Sequence, residues 1–356
     1  MYVYAGIDEA GYGPMLGPLV VACTCFIVEE TGSSGRGDED TRSLTVAARR
    51  MKRPCLWEML EPAVSRESKG SRGRLIVNDS KKVKLPNPKA GSKSATRHPL
   101  LNLEPSVLAF LGSLESTDGI PASDEALLGL IDPELCAHLK TIPWYQGEPL
   151  RLPQSVERHD DGSIRIGLNV LNRAMKKAGV QISQMACHSL TAGAFNQMTK
   201  SMRSKSAVSM TLVGRLLQSV IDAHGAERPF VAIDRQGGTT HYRRALQTLF
   251  PSASIRIVEE VPAASTYALD FGRERGATVS FIKGGDGLHL PTALASMTAK
   301  YVRELLMIRF NRYFAARLPE VKPTAGYVQD GRRFLEEVGT VIRDQQLSRD
   351  NLVRFC

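Results

Sequence analysis

The stretch AGIDEAGYGPMLGPLVV, Ala5 to Val21, decides how the chain is read. An apolar run, YVYAGI, stops at two adjacent acids, Asp8 and Glu9, and gives way to a loop holding Gly11, Gly13 and Gly17. The chain resumes as LVVACTCFIV, Leu19 to Val28, an unbroken apolar run of the kind that forms a buried strand. Two such runs joined by a glycine loop predict a hairpin. Cys23 and Cys25 alternate within the second run and fit small, reduced core residues on one face.

The pattern of strand, acid and glycine recurs twice downstream. PFVAID ends at Asp234 before RQGG, and ATVSFIKGGD ends at Asp286. SIRIVEEV reads as a further strand, and SIRIGLNVL as a strand running into a helix that stops at Gly179. AVSMTLVGRLLQSVIDAH, Ala207 to His224, is helical, with Gly225 as its stop. A long helix with basic residues among its apolar positions is expected from about Thr292 to Arg317. Strands separated by helices predict an α/β fold, and the opening hairpin makes its sheet mixed rather than purely parallel.

Between these regular segments the composition changes. EETGSSGRGDEDTRS, from Glu29, lacks periodicity and reads as a solvated loop, followed by a short helix interrupted by Pro54 and closed by Pro62. Residues 66 to 97 are basic, with Lys69, Arg72, Arg74, Lys81, Lys82, Lys84, Lys89 and Lys93. Pro86 to Asp161 is rich in proline and turn residues and reads as an elaboration on the core.

The 356 residues carry a formal net charge of +9 and a pI near 9.3, which favours a polyanionic partner, nucleic acid before an anionic membrane surface. The six cysteines form no C-x-x-C pair and lie near no histidine cluster, which argues against zinc. His188, His241 and His289 read as structural or exposed. No uncharged run suits a membrane span and no basic-then-apolar leader opens the chain, so a reducing cytosol is the expected compartment.

An Asp before glycine is ordinary turn chemistry, and each instance alone reads that way. Three strand ends in one sheet, however, would bring Asp8, Glu9, Asp234 and Asp286 into one cleft. Carboxylates so placed repel one another unless a cation compensates them. Hard divalent ions with oxygen ligands, Mg²⁺ or Mn²⁺, suit such a set, and a pair of them is the expectation for phosphodiester hydrolysis.

These residues resemble type 2 ribonuclease H. GIDEAGYGP is similar to that family's D-E-A-G-R-G-P opening, and NDSKKV, Asn78 to Val83, to its D-S-K-K-L segment. IKGGD, Ile282 to Asp286, resembles its K-x-D strand end. ASMTAKYVREL, Ala295 to Leu305, resembles A-S-I-L-A-K-V-T-R-D, and AGYVQDG resembles G-Y-P-x-D. The resemblance implies a ribonuclease H-like fold, a mixed five-stranded sheet flanked by helices. A catalytic domain over residues 1–320 would be interrupted by insertions at about 29–73 and 86–161. A helical segment over 321–356 would complete the cleft.

It further implies a monomeric endonuclease that cuts the RNA strand of RNA–DNA hybrids, or a ribonucleotide embedded in duplex DNA, leaving 5′-phosphate and 3′-hydroxyl ends. Asp8, Glu9, Asp234 and Asp286 would be its metal-binding acids. The backbone of Gly11, Tyr12 and Gly13 would read the ribose 2′-hydroxyl, and Lys81 and Lys82 would approach phosphates. Ser296 and Lys300, four apart on a helix, would line the cleft, and Tyr327 would pack on the following sugar. Tyr12 stands where the family has arginine, which removes a charge and a forked donor. A binding protein with weakened turnover and another structure-specific phosphodiesterase are the rival readings.

Overall fold

The computed structural model describes residues 1–29, 54–85, 98–156 and 159–355. Its opening is the expected hairpin. β1 (Tyr2–Ala10) and β2 (Leu19–Val28) pair antiparallel, with Ile7 opposite Cys23 and Ala10 opposite Val20. Five further strands complete the sheet: β3 (Val180–Leu190), β4 (Phe230–Asp234), β5 (Ser254–Val261), β6 (Ala264–Gly272) and β7 (Arg275–Ile282). Their spatial order is β3-β2-β1-β4-β7-β6-β5. β1 with β4 and β4 with β7 run parallel, and the other pairs are antiparallel.

The mixed α/β sheet flanked by helices is therefore as expected, but it has seven strands rather than five. β3, VQISQMACHSL, escapes recognition because glutamines, serines and a histidine interrupt its apolar positions. β6, ASTYALDFG, is missed for the same reason. One further expectation is corrected. SIRIGLNVL is not a strand start but lies wholly within the helix Gly162–Ala178, where Ile164, Leu171, Ala174 and Met175 are buried at helical spacing. Gly179 ends that helix in the left-handed conformation.

Helices cover both sheet faces, and alternation along β1 feeds both cores. Val3, Ala5 and Ile7 pack with Val213, Leu217 and Val220 of the helix Lys205–His224 on one side. Tyr4 and Ala10 face the other side, where the helix Leu290–Ala315 lies with Leu294, Tyr301 and Leu305. Gly6 shares this second face. A β-carbon on it would fall 2.1 Å from the Thr292 backbone nitrogen, so the missing side chain lets the helix lie directly on the strand. The Thr24 hydroxyl donates to the Pro291 carbonyl at 2.8 Å, and the Thr292 hydroxyl to the Ala232 carbonyl at 3.0 Å. The helix start is thereby strapped across β2, β1 and β4.

The proline-rich elaboration packs into the second core through Leu103, Phe110, Leu128, Trp144 and Tyr145. Its anchors are ionic. Arg309 of the long helix, fully buried, donates to both Asp124 carboxylate oxygens at 2.5 and 2.7 Å. Buried Glu104 accepts from the Tyr301 hydroxyl and from the Gln154 and Ser155 amides. Most of the loop expected from Glu29, and Lys89 and Lys93, lie outside the described residues. Val328–Glu337, Gly339–Asp344 and Arg349–Leu352 form short helices after the long one. Among the described residues no helix is long and apolar enough to cross a membrane.

Candidate active site

Parallel pairing brings the acids together. Ile7 of β1 lies beside Ile233 of β4, so Asp8 and Asp234 are the next residues of adjacent strands. Asp234 in turn pairs with Ile282 at the end of β7. The chain then turns through Gly284, and the Gly285 amide donates to Asp234 Oδ1 at 2.8 Å, which holds the Asp286 turn against β4. Asp8 and Asp286 are both buried.

Asp8 and Glu9 are neighbours in a strand and so point to opposite faces. Their partners differ accordingly. Asp8 lies on the Gly6 face and is hydrogen-bonded by Ser296, one helical turn after Thr292. Glu9 accepts from Gln236 Nε2 at 3.3 Å, and the same amide donates at 2.8 Å to Ser209 on the opposite layer. The two acids straddle the end of β1.

Burial and mutual repulsion raise every one of these carboxyl groups. Burial pushes Asp8 well above the usual range, and the charges of Glu9 and Asp234 add to it. Glu9 is raised to about 7, by burial first and by Asp234 second, against the opposing effects of Gln236 and Lys81. Asp234 is raised mainly by burial, with the Gly285 amide and Lys81 working against it. Asp286 reaches about 6 through burial, then Asp79 and Asp234. Among the described residues, no three His, Cys, Asp or Glu side chains are gathered closely enough to hold one ion. The donor set is nonetheless all hard carboxylate oxygen, charged at its own expense, which suits a divalent cation in chemistry.

The NDSKKV segment closes one side. Asp79 caps the short turn Ser80–Val83 by accepting from the Lys81 amide at 2.9 Å, and the Ser296 hydroxyl meets that of Ser80 at 3.0 Å. Lys81 is near enough to stabilise the charges of Glu9, Asp234 and Asp286. Lys82 is exposed on the same turn. Lys300, one turn beyond Ser296, is bonded to Glu304 at 2.9 Å, and Lys84 binds the same carboxylate at 3.0 Å. That bridge pins the segment to the long helix. It also holds Glu304 below the usual carboxylate range despite its burial.

The glycine loop has two characters. Gly11 has φ of +88°, and a β-carbon there would strike the Pro18 carbonyl and the Arg303 side chain. Around Gly13 the space is open. Tyr12, 39% exposed, is close enough to Glu9 for its hydroxyl pKa to be raised by burial and that charge. Tyr327 is 55% exposed and precedes the helix Val328–Glu337, its carbonyl accepting from Gly331.

Three participants were not assigned from sequence. Gln236 sits two residues past Asp234, where only turn chemistry was visible. Asp79 lies inside the quoted NDSKKV segment, and its position as a helix cap gave no sign of its nearness to Asp286. Ser209, in the first turns of its helix, had no local signal. Of the histidines, His241 pairs with Glu260 at 2.9 Å and His289 with Tyr4.

No family model matches the chain, and no curated protein is similar to it. Among solved structures it is similar to the ribonuclease HII of Archaeoglobus fulgidus, solved as a complex with PCNA. That match has 14% identity and a TM-score of 0.39, over 99% of this chain and 94% of the other. A structure of Bst ribonuclease HIII in complex with Mn²⁺ gives 14% identity and a TM-score of 0.38, over 99% of this chain and 66% of that one. The ribonuclease H2 of Pyrococcus horikoshii OT3 gives 12% identity and a TM-score of 0.36, over 98% and 92%. Scores this low transfer no residue's role. These matches to ribonucleases of types HII and HIII extend along nearly the whole of this chain.

Proposed function

We propose that the protein is a divalent-metal-dependent endonuclease that cuts the RNA strand of RNA–DNA hybrids and ribonucleotides embedded in duplex DNA. The observation that carries this reading is the approach of Asp8, Asp234 and Asp286 at one end of the sheet, each with its pKa raised by burial first and by neighbouring carboxylates second, beside a lysine. A binding surface alone gains nothing from such repulsion. Asp8, Glu9, Asp234 and Asp286 would hold Mg²⁺ or Mn²⁺, two ions in the fullest form. When bound, such ions supply an acidified water and charge stabilisation at a phosphodiester.

The chain's own groups do the rest. Lys81 attracts the phosphate next to the acids, and the net charge of +9 favours the polyanion as a whole. Gly11, Tyr12 and Gly13 offer backbone N–H groups to a ribose 2′-hydroxyl, the one group that separates RNA from DNA at a given position. Ser296 fixes Asp8, and Gln236 fixes Glu9, so that each presents a set oxygen. Tyr327 offers an exposed ring to the adjoining sugar. Lys82 and Lys300 serve at longer range, the latter through Glu304.

The test is a DNA duplex carrying one ribonucleotide, incubated with Mg²⁺ or Mn²⁺. A nick leaving 5′-phosphate and 3′-hydroxyl ends is expected, with none for Asp8→Asn, which keeps binding. Equal cutting of all-DNA duplex would instead mark a structure-specific phosphodiesterase. Tight hybrid binding with no metal-dependent nick would mark a binding protein, the reading favoured by Glu9's placement on the face opposite Asp8.

A further inference from the structure

Arg303 is a fully buried cation of the long helix. Its side chain is 1% exposed. Among the described residues it makes no ion pair: Glu304 is turned to Lys84 and Lys300, and its charge offsets only part of the burial that lowers the Arg303 pKa. One nitrogen, Nη2, donates to two carbonyls: Leu16 at 3.1 Å and Ala325 at 3.0 Å. Nε is buried with no acceptor. A guanidinium held in this way carries a desolvation cost. The hydrogen bonds alone do not account for it.

Its position does. The two carbonyls belong to different segments, the loop of residues 11–17 and the stretch Ala325–Tyr327. The same segments are joined directly, since the Met15 and Leu16 amides both donate to the Gly326 carbonyl at 2.8 and 3.1 Å. Arg303 also lies immediately behind Gly11, where a β-carbon would come within 2.7 Å of Nε. The long helix therefore passes a single buried cation beneath both.

We infer that Arg303 is a positioning residue that locks the glycine loop and the Tyr327 segment into one rigid platform for the nucleic acid. The inference rests on the proposed function for what the platform binds, but the locking itself is independent of it. The buried charge also lies behind the loop in which Tyr12 occupies the place of a cation. A fixed positive field there favours a phosphate in front of Gly11.

Hydrogen exchange, read by mass spectrometry on the full chain, tests the lock without any substrate. Arg303→Met should raise exchange at least tenfold in peptides covering both 11–17 and 325–331, with β5 and β6 unchanged. Arg303→Lys, which keeps the cation but not the fork, should fall between, and it serves alone if the methionine variant does not fold. Loosening of only one segment, of neither, or of the whole molecule overturns the lock. In parallel, KM for the ribonucleotide duplex should rise at least tenfold with kcat little changed. If the unaltered protein neither cuts nor binds that duplex, the proposed function fails, while the exchange result still decides the lock. If it cuts and KM does not move although both segments loosen, the positioning role is overturned.

Discussion

Replacing Gly6 by alanine should damage the protein far more than one methyl group suggests. The new β-carbon would lie 2.1 Å from the Thr292 nitrogen, 2.2 Å from the Pro291 carbonyl carbon and 2.6 Å from the Thr292 α-carbon, all backbone. Ordinary contact begins near 3.4 Å, so the helix start must retreat by about 1.3 Å. No side chain can rotate away to absorb this. Overpacking of this kind costs roughly 1–3 kcal/mol. The retreat also stretches the Thr24 and Thr292 straps, now 2.8 and 3.0 Å, at about 1 kcal/mol each. The sum is about 3–5 kcal/mol, a large share of the ~5–15 kcal/mol by which a domain is stable. Urea unfolding followed by circular dichroism, with Gly13→Ala as the control in open space, measures the difference. A loss below about 1 kcal/mol for Gly6→Ala would show that the helix does not rest on β1 as described.

Burial and Asp234 push Glu9 from 4.5 up to about 7, so the unfolded chain gives up that proton first. Glu9's contribution to the stability of the metal-free protein is thus present at low pH and lost as pH rises through about 7, on the order of 3 kcal/mol. Unfolding midpoints in EDTA from pH 5 to 8 should show the unaltered protein falling relative to Glu9→Gln, and parallel curves would contradict this. Glu304→Gln leaves two half-buried lysines facing an uncharged partner and should cost about 2–4 kcal/mol, read by thermal or urea unfolding. Tyr12→Arg should bind hybrid duplex more tightly and with a steeper dependence on salt, measured by fluorescence anisotropy; an unchanged salt slope would place residue 12 away from phosphate.

What was legible in the sequence was β1, β2, β4 and β7, which carry apolar runs, and β5, in which Ile255, Ile257 and Val258 stand close together. β3 and β6 were not, since polar residues interrupt their apolar positions. The acids could be found because each follows an apolar strand and precedes glycine. Their division between two faces could not be read until the register of β1 and the reach of Gln236 were fixed in space. Lys81 and Lys82 looked equivalent as a pair, and the nearness of Lys81 to Glu9, Asp234 and Asp286 could be read only in space. Arg303 looked like one more basic residue on an amphipathic helix. That it is buried depends on Gly11 and Gly17 leaving room, which is a property of three distant segments together.

The order of the sheet has a consequence for how the protein is made. The parallel partner of β1, β4, begins about 220 residues further along the chain, and its covering helix later still. Until Phe230–Asp234 emerges, the nascent chain has a hairpin with one open edge and two acids at its end, and only with Leu290–Ala315 does the second face close. Such late, non-local closure is slow and leaves an apolar strand edge unpaired until then. Products truncated before Leu290 should therefore be both inactive and prone to aggregate, and the acid cluster forms only once β4 and the Asp286 turn are both present.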